Sequence, residues 1–176
     1  MNLLETLLQS AGGGALQRVG QQLGINDDQT KDVLSKLMPA LTGGIKRNTN
    51  AADGVQSLQK ALSRGNHDRY LDDPNALSDQ ATVDDGNSIL GHLLGSKQAS
   101  RDVASNVAAE TGIDASIIKK LLPIAAAATM GAVSKGTGGG KALSGGGSLG
   151  ILGGLLDSVG DGKILGNVLS LGKKLF

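Results

Sequence analysis

Hydrophobic residues recur along this chain as adjacent pairs spaced four residues apart. Four short segments carry apolar residues at positions i, i+1, i+4 and i+5: residues 3–8, 89–94, 151–156 and 164–169. This spacing places the four side chains of a segment on one face of an α-helix. Helices this short are not stable alone in water, so we expect each segment to pack against another helix.

Glycine, proline and capping residues predict where the helices begin and end. The three glycines at 12–14 are expected to end the first helix, Gly24 to cap the second, and Pro39 with Gly43 and Gly44 to end the third. The predicted helices are 2–10, 15–23, 28 to about 37, 52–63, 87–95, 99–111 and 115–134, with a short helix near 75–81.

The resulting fold class is all-α, with two related multi-helix units, a Gly-rich linker and a C-terminal helical hairpin. Residues 64–86 hold six aspartates and two arginines among turn-forming residues, which indicates a connector. The predicted segments are 1–63 (first helical unit), 64–86 (acidic connector), 87–135 (second helical unit), 136–147 (Gly/Ser linker) and 148–176 (C-terminal amphipathic helices).

The two helical units share short motifs in the same order. Gly24-Ile25-Asn26 corresponds to Gly112-Ile113-Asp114, and Lys36-Leu37-Met38-Pro39 corresponds to Lys120-Leu121-Leu122-Pro123. A duplicated unit explains this better than chance does, since several unlike residues recur in the same order. We expect repeats of this kind to bury their stripes against each other. The alternative is that any Leu-rich helical chain matches itself by chance.

Three motifs between residues 84 and 124 also resemble a known group of proteins. They are Asp84-Asp85-Gly86-x-x-Ile89-Leu90-x-His92-x-Leu94-Gly95, then Thr111-Gly112-Ile113, then Leu121-Leu122-Pro123-Ile124. In this order they resemble the YidB-like bacterial family, a domain of unknown function (937), over residues 1 to about 135. The resemblance implies an all-helical bacterial domain, and it supplies no activity, cofactor or catalytic residue.

Composition limits the kind of core that the chain can form and the cellular compartment that suits it. The chain has one Tyr, one Phe and no Trp among 176 residues, with 28 glycines, so its core is expected to be aliphatic side chains on close-packed helices. The absence of cysteine excludes disulfides and is compatible with a reducing compartment, and the start lacks a secretory pattern. We therefore expect a cytoplasmic protein. No apolar run approaches 18 residues, so no transmembrane segment is predicted.

The candidate chemistry is sparse. His92 lies beside an apolar stripe, where a structural role is favoured over a functional one, and His67 lies in the acidic connector, where we expect it to be solvated. The aspartate pairs 27–28, 72–73 and 84–85 sit where caps and turns belong, and they lack the alternating oxygen ligands of a calcium loop. The segment Gly136-Thr137-Gly138-Gly139-Gly140-Lys141 lacks the other residues of a phosphate-binding loop.

Without a catalytic set, the sequence predicts no enzyme, no metal and no cofactor. Residues 104–121 fit a helix-turn-helix corner, but Lys119 and Lys120 precede a buried apolar run instead of an exposed set of base-reading side chains. Nucleic-acid binding is therefore disfavoured.

The C-terminal stripes are the candidate interaction surface: Ile151, Leu152, Leu155, Leu156, Ile164, Leu165, Val168 and Leu169. Folding back onto the chain's own core, a protein partner or self-association, and a membrane surface all remain open for them. The predicted function is a non-enzymatic helical scaffold or protein-interaction module. The alternatives are a helix-turn-helix-like nucleic-acid binder and an envelope-associated or membrane-surface protein.

Overall fold

The computed structural model of the chain describes residues 3–73 and 75–144, together with residues 150, 153 and 154. Up to residue 144 the described chain forms eight α-helices and two 3₁₀ turns, with no strand in this part, which confirms the all-α prediction. The helices are α1 (Leu3–Gln9), α2 (Ala11–Gln22), α3 (Asp27–Asn50), α4 (Gly54–Arg64), α5 (Arg69–Asp72), α6 (Gln80–Leu94), α7 (Lys97–Thr111) and α8 (Ala115–Gly136). The 3₁₀ turns are Ala76–Ser78 and Lys141–Ser144.

Helix α8 lies at the centre of the fold. Every residue from Leu121 to Ser134 is buried, and the four alanines at 125–128 have no exposed surface. Helices α6 and α7 pack along α8, and α1, α3 and α5 also contact it. The short alanine side chains allow neighbouring helices to come close on several sides.

Glycines on other helices bring backbones into direct contact. A Cβ atom on Gly86 of α6 would lie 2.0 Å from the carbonyl oxygen of Pro123 in α8. A Cβ atom on Gly44 of α3 would lie 2.6 Å from the carbonyl oxygen of Leu93 in α6. These close crossings confirm that an almost ring-free core is built on closely packed helices, although its one tyrosine, Tyr70, is fully buried.

The α2–α3 and α7–α8 corners have the same local construction. Gly24 and Gly112 both adopt positive φ, +89° and +71°, and each is followed by a buried isoleucine. At the first corner the Gly24 and Ile25 N–H groups bond the carbonyl oxygens of Gln21 and Gly20, as in a Schellman motif. The predicted cap at Gly24 is confirmed, and the duplication itself stays a prediction.

Side-chain caps then start the helices that follow the two corners. Asn26 forms a capping box with Gln29, in which each side chain bonds the other residue's N–H. The Asp114 carboxylate accepts the Ser116 N–H at 2.7 Å, and hydrogen bonds from the Ser116 side chain and backbone hold the pKa of Asp114 below its usual value.

Three predicted helix boundaries are wrong, because tertiary packing overrides the breakers. The glycines at 12–14 lie inside α2, where a Cβ atom on Gly13 would meet the Leu8 carbonyl oxygen at 2.3 Å. Gly13 therefore permits a tight reversal from α1. Pro39 and Gly44 lie inside the 24-residue α3. Because Pro39 is on the exposed side of the helix, the carbonyl group that loses its partner can bond water.

All the segments predicted from the sequence that fall in the described residues contribute to one core. The predicted connector 64–86 contains α5 and the first half of α6, and it buries Tyr70, Leu71 and Leu77. The described part of the predicted linker ends in the Lys141–Ser144 turn, which packs on α4 and buries Leu143. The C-terminal hairpin predicted at 148–176 lies outside the described residues, apart from residues 150, 153 and 154.

Candidate binding groove

A groove of about 460 Å³ opens between α4 and α6. Its apolar floor comes from Leu58, Ile89, Leu93 and Met130, which keep 5–8% of their surface exposed. The groove is lined by Asn48, Ala51, Ala52, Gly54, Ser57, Leu58, Ala61, Gly65, His67, Asp85, Ser88, Ile89, His92, Leu93 and Met130. We call this feature the α4/α6 groove. Its lining includes no lysine or arginine.

One end of the groove is fixed by a tight turn between α3 and α4. A Cβ atom on Gly54 would lie 1.7 Å from the Asn48 carbonyl oxygen, so α4 starts directly against the end of α3. Asp53, the residue before it, adopts the left-handed region with φ +61°. The Asn48 side chain then donates to the His92 carbonyl oxygen at 2.8 Å, which ties the end of α3 to the end of α6.

His67 is buried in the lining of the groove, so the expectation that it is solvated is wrong. It is 8% exposed, and its Nε2 would be only 1.8 Å from a Cβ atom on Gly65. The missing side chain of Gly65 therefore makes room for the ring. Burial lowers the pKa of His67, although a hydrogen bond with the backbone of Ala61 opposes this. Its Nδ1 is buried without a hydrogen-bond partner.

A polar network beside His67 joins α5 to α6. The Tyr70 hydroxyl donates to Asp85 Oδ2 at 2.5 Å, and Arg69 Nη2 donates to the same oxygen at 3.2 Å. The Arg69 guanidinium also lies 4.9 Å from the Tyr70 ring centroid. Burial, together with the bond to Asp85, raises the pKa of Tyr70. The hydroxyl therefore remains a protonated hydrogen-bond donor at neutral pH and does not act as a base.

One of the predicted aspartate pairs lies at neither a cap nor a turn. Asp84 and Asp85 were predicted at a turn or cap, but they lie inside α6, where Asp85 holds Tyr70. The reason is that α6 begins five residues earlier than Asp85, at Gln80. The predicted pair at 72–73 does lie at a helix end and turn: Asp72 ends α5 and pairs with Lys135 of α8, and Asp73 Oδ1 accepts the Asn75 N–H at 2.9 Å. Among the described residues, no group of three or more His, Cys, Asp or Glu could hold a metal ion.

His92, the low-ranked polar candidate from the sequence, lies at the rim of the α4/α6 groove. It is exposed, and its backbone carbonyl oxygen accepts the hydrogen bond from the Asn48 side chain. Both histidines of the chain thus line the same groove. The sequence did not indicate that His67 also lines this groove. The only local signal was Gly65, two residues earlier in a turn, and that signal does not distinguish a buried ring from a solvated one.

Comparison with known proteins identifies the family. A family model described as a bacterial protein of unknown function (DUF937) matches residues 5–136. The chain belongs to the DUF937 family. This agrees with the resemblance predicted from its motifs. No curated protein and no solved structure matches the chain.

The DUF937 match covers all of the groove. It ends at Gly136, the last residue of α8, so every lining residue of the α4/α6 groove falls within it. The C-terminal stripes, from Ile151 to Leu169, fall beyond both the match and the described helices. The candidate interaction surface predicted there stays a prediction.

The central helix of the DUF937 domain is long and apolar enough to cross a membrane. In the described residues this holds for α8 alone, with a mean hydropathy of 1.4 over its most apolar window. The sequence predicts no such segment, because no uninterrupted apolar run approaches 18 residues. However, 78% of that window is buried among the other helices, so its apolar surface is already used within the fold.

The predicted helix-turn-helix corner is the α7–α8 corner of the DUF937 domain. Lys119 and Lys120 are exposed there and line a second groove, of about 370 Å³. After these two lysines α8 enters the core. The exposed first turns of α8 therefore offer two cations and no row of base-reading side chains.

Proposed function

We propose that this DUF937 protein is a non-enzymatic helical interaction module that binds the apolar face of a short amphipathic helix in the α4/α6 groove. The observation that carries the proposal is the groove's apolar floor, which is bordered by polar side chains that include no lysine or arginine. Helix-in-groove recognition uses such a floor to accept apolar side chains from successive turns of the bound helix.

The size of the groove fits aliphatic side chains. A cavity of about 150 Å³ holds a benzene-sized group, so about 460 Å³ accommodates three leucine or isoleucine side chains. Met130 adds an unbranched, polarizable side chain to the floor, a type that adapts to ligands of different shape. The polar groups at the rim, on Asn48, Ser57 and Ser88, can remain hydrated beside a bound helix.

The charges of the groove disfavour phosphate ligands. Its lining holds no lysine or arginine, and the carboxylate of Asp85 lies in it. Nucleic-acid binding draws most of its affinity from cationic contacts with phosphates. An apolar segment therefore suits this surface better than a nucleic acid does.

The polar groups around His67 do not form a nucleophile with its base. Burial keeps His67 neutral, and its Nδ1 is enclosed. Tyr70 is held protonated and bonded to Asp85. A catalytic pair needs a nucleophile and a base within hydrogen-bond reach of each other and open to substrate, so these contacts support a binding role.

The test is binding of a designed, fluorescein-labelled helical peptide with a Leu-Leu-x-x-Leu-Leu stripe and otherwise Glu and Lys. Fluorescence anisotropy is measured with the full chain and with a Ser88→Trp variant, whose indole fills the groove from its exposed rim. We expect the variant to lose binding. The matched control is Ser35→Trp, on the exposed face of α3 away from the groove, which should bind as the unmodified chain does. Equal binding by all three proteins, or by none, would refute the proposal.

A further inference from the structure

The described chain leaves the DUF937 domain on the helix that forms one wall of the groove. The Lys141–Ser144 turn packs on α4, and Leu143 is 4% exposed. A Cβ atom on Gly140 would lie 3.2 Å from the Gln59 carbonyl oxygen and 3.3 Å from the Leu62 Cβ. The turn is thus held on the side of α4 next to the positions, Leu58 and Ala61, that line the groove.

The next apolar stripe of the chain is within reach of the groove. Five residues, 145–149, separate the turn from the helical Gly150, and they span up to about 17 Å when extended. A helix with its side chains is only about 10–12 Å across. The chain can therefore pass around α4 and present the stripe to the groove without any change in the domain.

We propose that the α4/α6 groove is occupied by the chain's own first C-terminal stripe, formed by Ile151, Leu152, Leu155 and Leu156. The inference rests on the proposed function, and it names the occupant of that site. The stripe has the i, i+1, i+4, i+5 spacing that places its four aliphatic side chains on one helical face. A self-docked stripe closes the groove until a competing apolar helix displaces it.

The described residues of this segment are consistent with such a helix. Gly150, Gly153 and Gly154 are helical, and Gly150 and Gly154 are exposed. These two glycines are four residues apart and lie together on a helical face different from that of the stripe. Their exposed backbone is compatible with a helix whose Leu/Ile face is covered.

The short connection favours docking within one chain over exchange between two chains. A short flexible tether gives an effective concentration in the millimolar range. A stripe with an intrinsic dissociation constant of about 0.1 mM would then occupy its own groove about nine-tenths of the time. Docking between two copies would require protein at a comparable concentration.

The test repeats the peptide titration in the full chain carrying Leu155→Asp, with Leu165→Asp in the second stripe as the matched control. We expect Leu155→Asp to bind the designed peptide about tenfold more tightly than the unmodified chain, because it removes the competing segment. Leu165→Asp should leave the affinity unchanged. Leu152→Asp is a second variant of the first stripe, and circular dichroism establishes that each variant is folded.

The outcomes separate this inference from the proposed function. If the unmodified chain and Leu155→Asp bind the peptide equally through the groove, the proposed function stands and self-docking is refuted. If neither chain binds the peptide, the proposed function fails. If light scattering shows a dimer that Leu155→Asp converts to a monomer, the stripe docks in a second copy and the inference of docking within one chain is overturned.

The two histidines supply an independent measurement, because both line the groove and the chain has no others. In proton–carbon NMR spectra, Leu155→Asp should shift the imidazole signals of His67 and His92, and Leu165→Asp should not. Dilution of the unmodified chain should leave both signals in place. Unchanged signals in both stripe-one variants would refute docking in this groove.

Discussion

The contact between α6 and α8 depends on the absence of a side chain at Gly86. A Cβ atom there would lie 2.0 Å from the Pro123 carbonyl oxygen and 2.5 Å from its carbonyl carbon. Both are backbone atoms of the central helix, so no side-chain rotation relieves the clash. In Gly86→Ala the two helices must separate by about 1 Å, which forfeits a quarter to a half of the dispersion energy of the atom pairs that lose contact.

The expected cost follows from two opposing effects. Overpacking in a well-packed core costs about 1–3 kcal/mol, and replacing a helical glycine with alanine returns about 1 kcal/mol. The clash involves backbone on both sides, so we place the substitution at the upper end, with a net loss of about 1–2 kcal/mol. For a chain of this size, that lowers the melting temperature by about 2–8 °C.

Gly91 is the matched control, because it lies in the same helix and a Cβ atom there would meet nothing within 4 Å. Gly91→Ala should raise the free energy of unfolding by about 1 kcal/mol, from helix propensity alone. Both variants are measured by urea denaturation and by thermal unfolding followed by circular dichroism. If Gly86→Ala is as stable as the unmodified chain, or if Gly91→Ala is destabilised to the same degree, close backbone contact does not hold α6 against α8.

Three further predictions concern the groove and the charges around it. Because burial lowers the pKa of His67, the unfolded chain binds more protons than the folded chain just below pH 6.5, and the free energy of unfolding should fall as the pH drops through that window. The variant His67→Gln should flatten this part of a plot of urea midpoint against pH, and an unchanged slope would contradict the assignment. Asp85→Ala should cost more than Tyr70→Phe, about 1–3 against about 1 kcal/mol, because it leaves the proton of the buried Tyr70 hydroxyl unpaired while the phenylalanine leaves a half-exposed carboxylate that water can reach; urea titration of both variants checks the order. In a filter-binding assay below 50 mM salt, where phosphate contacts are strongest, the full chain should retain no DNA or RNA, and salt-sensitive retention would revive the nucleic-acid alternative.

The fold class could be predicted from local patterns, but several boundaries could not. Stripe spacing and the Gly-Ile-Asn and Gly-Ile-Asp corners are local signals, and they correctly indicated helices and their junctions at Gly24 and Gly112. Gly44 and Pro39 are also local helix breakers, yet both lie inside α3. At Gly44 the reason is that α6 comes so close that a side chain would clash with it. In the sequence, a glycine that ends a helix looks the same as a glycine that allows two helices to touch. Only the packing of another helix against it distinguishes the two.

The candidate site could be predicted only in part, for a similar reason. His92 stands out in the sequence because it lies inside an apolar stripe, and it does line the groove. His67 lies among aspartates in a turn, a context that predicts solvation. Its burial depends on space above Gly65 and on the packing of Tyr70, which arises when α5 docks against α8. No residue spacing in the sequence predicts the contact between α5 and α8.

Helix α4 is the wall of the groove that should respond most to an occupant. It buries only Leu58 and Leu62, whereas α6 on the opposite wall buries five residues and crosses the centre of the fold. Segments with few buried apolar contacts open locally at low free energy. Leu58 faces the groove, and Leu62 faces the Lys141–Ser144 turn. An apolar helix covering Leu58 would therefore add burial to the least anchored wall, so binding in the groove and the local stability of α4 are coupled through this one side chain.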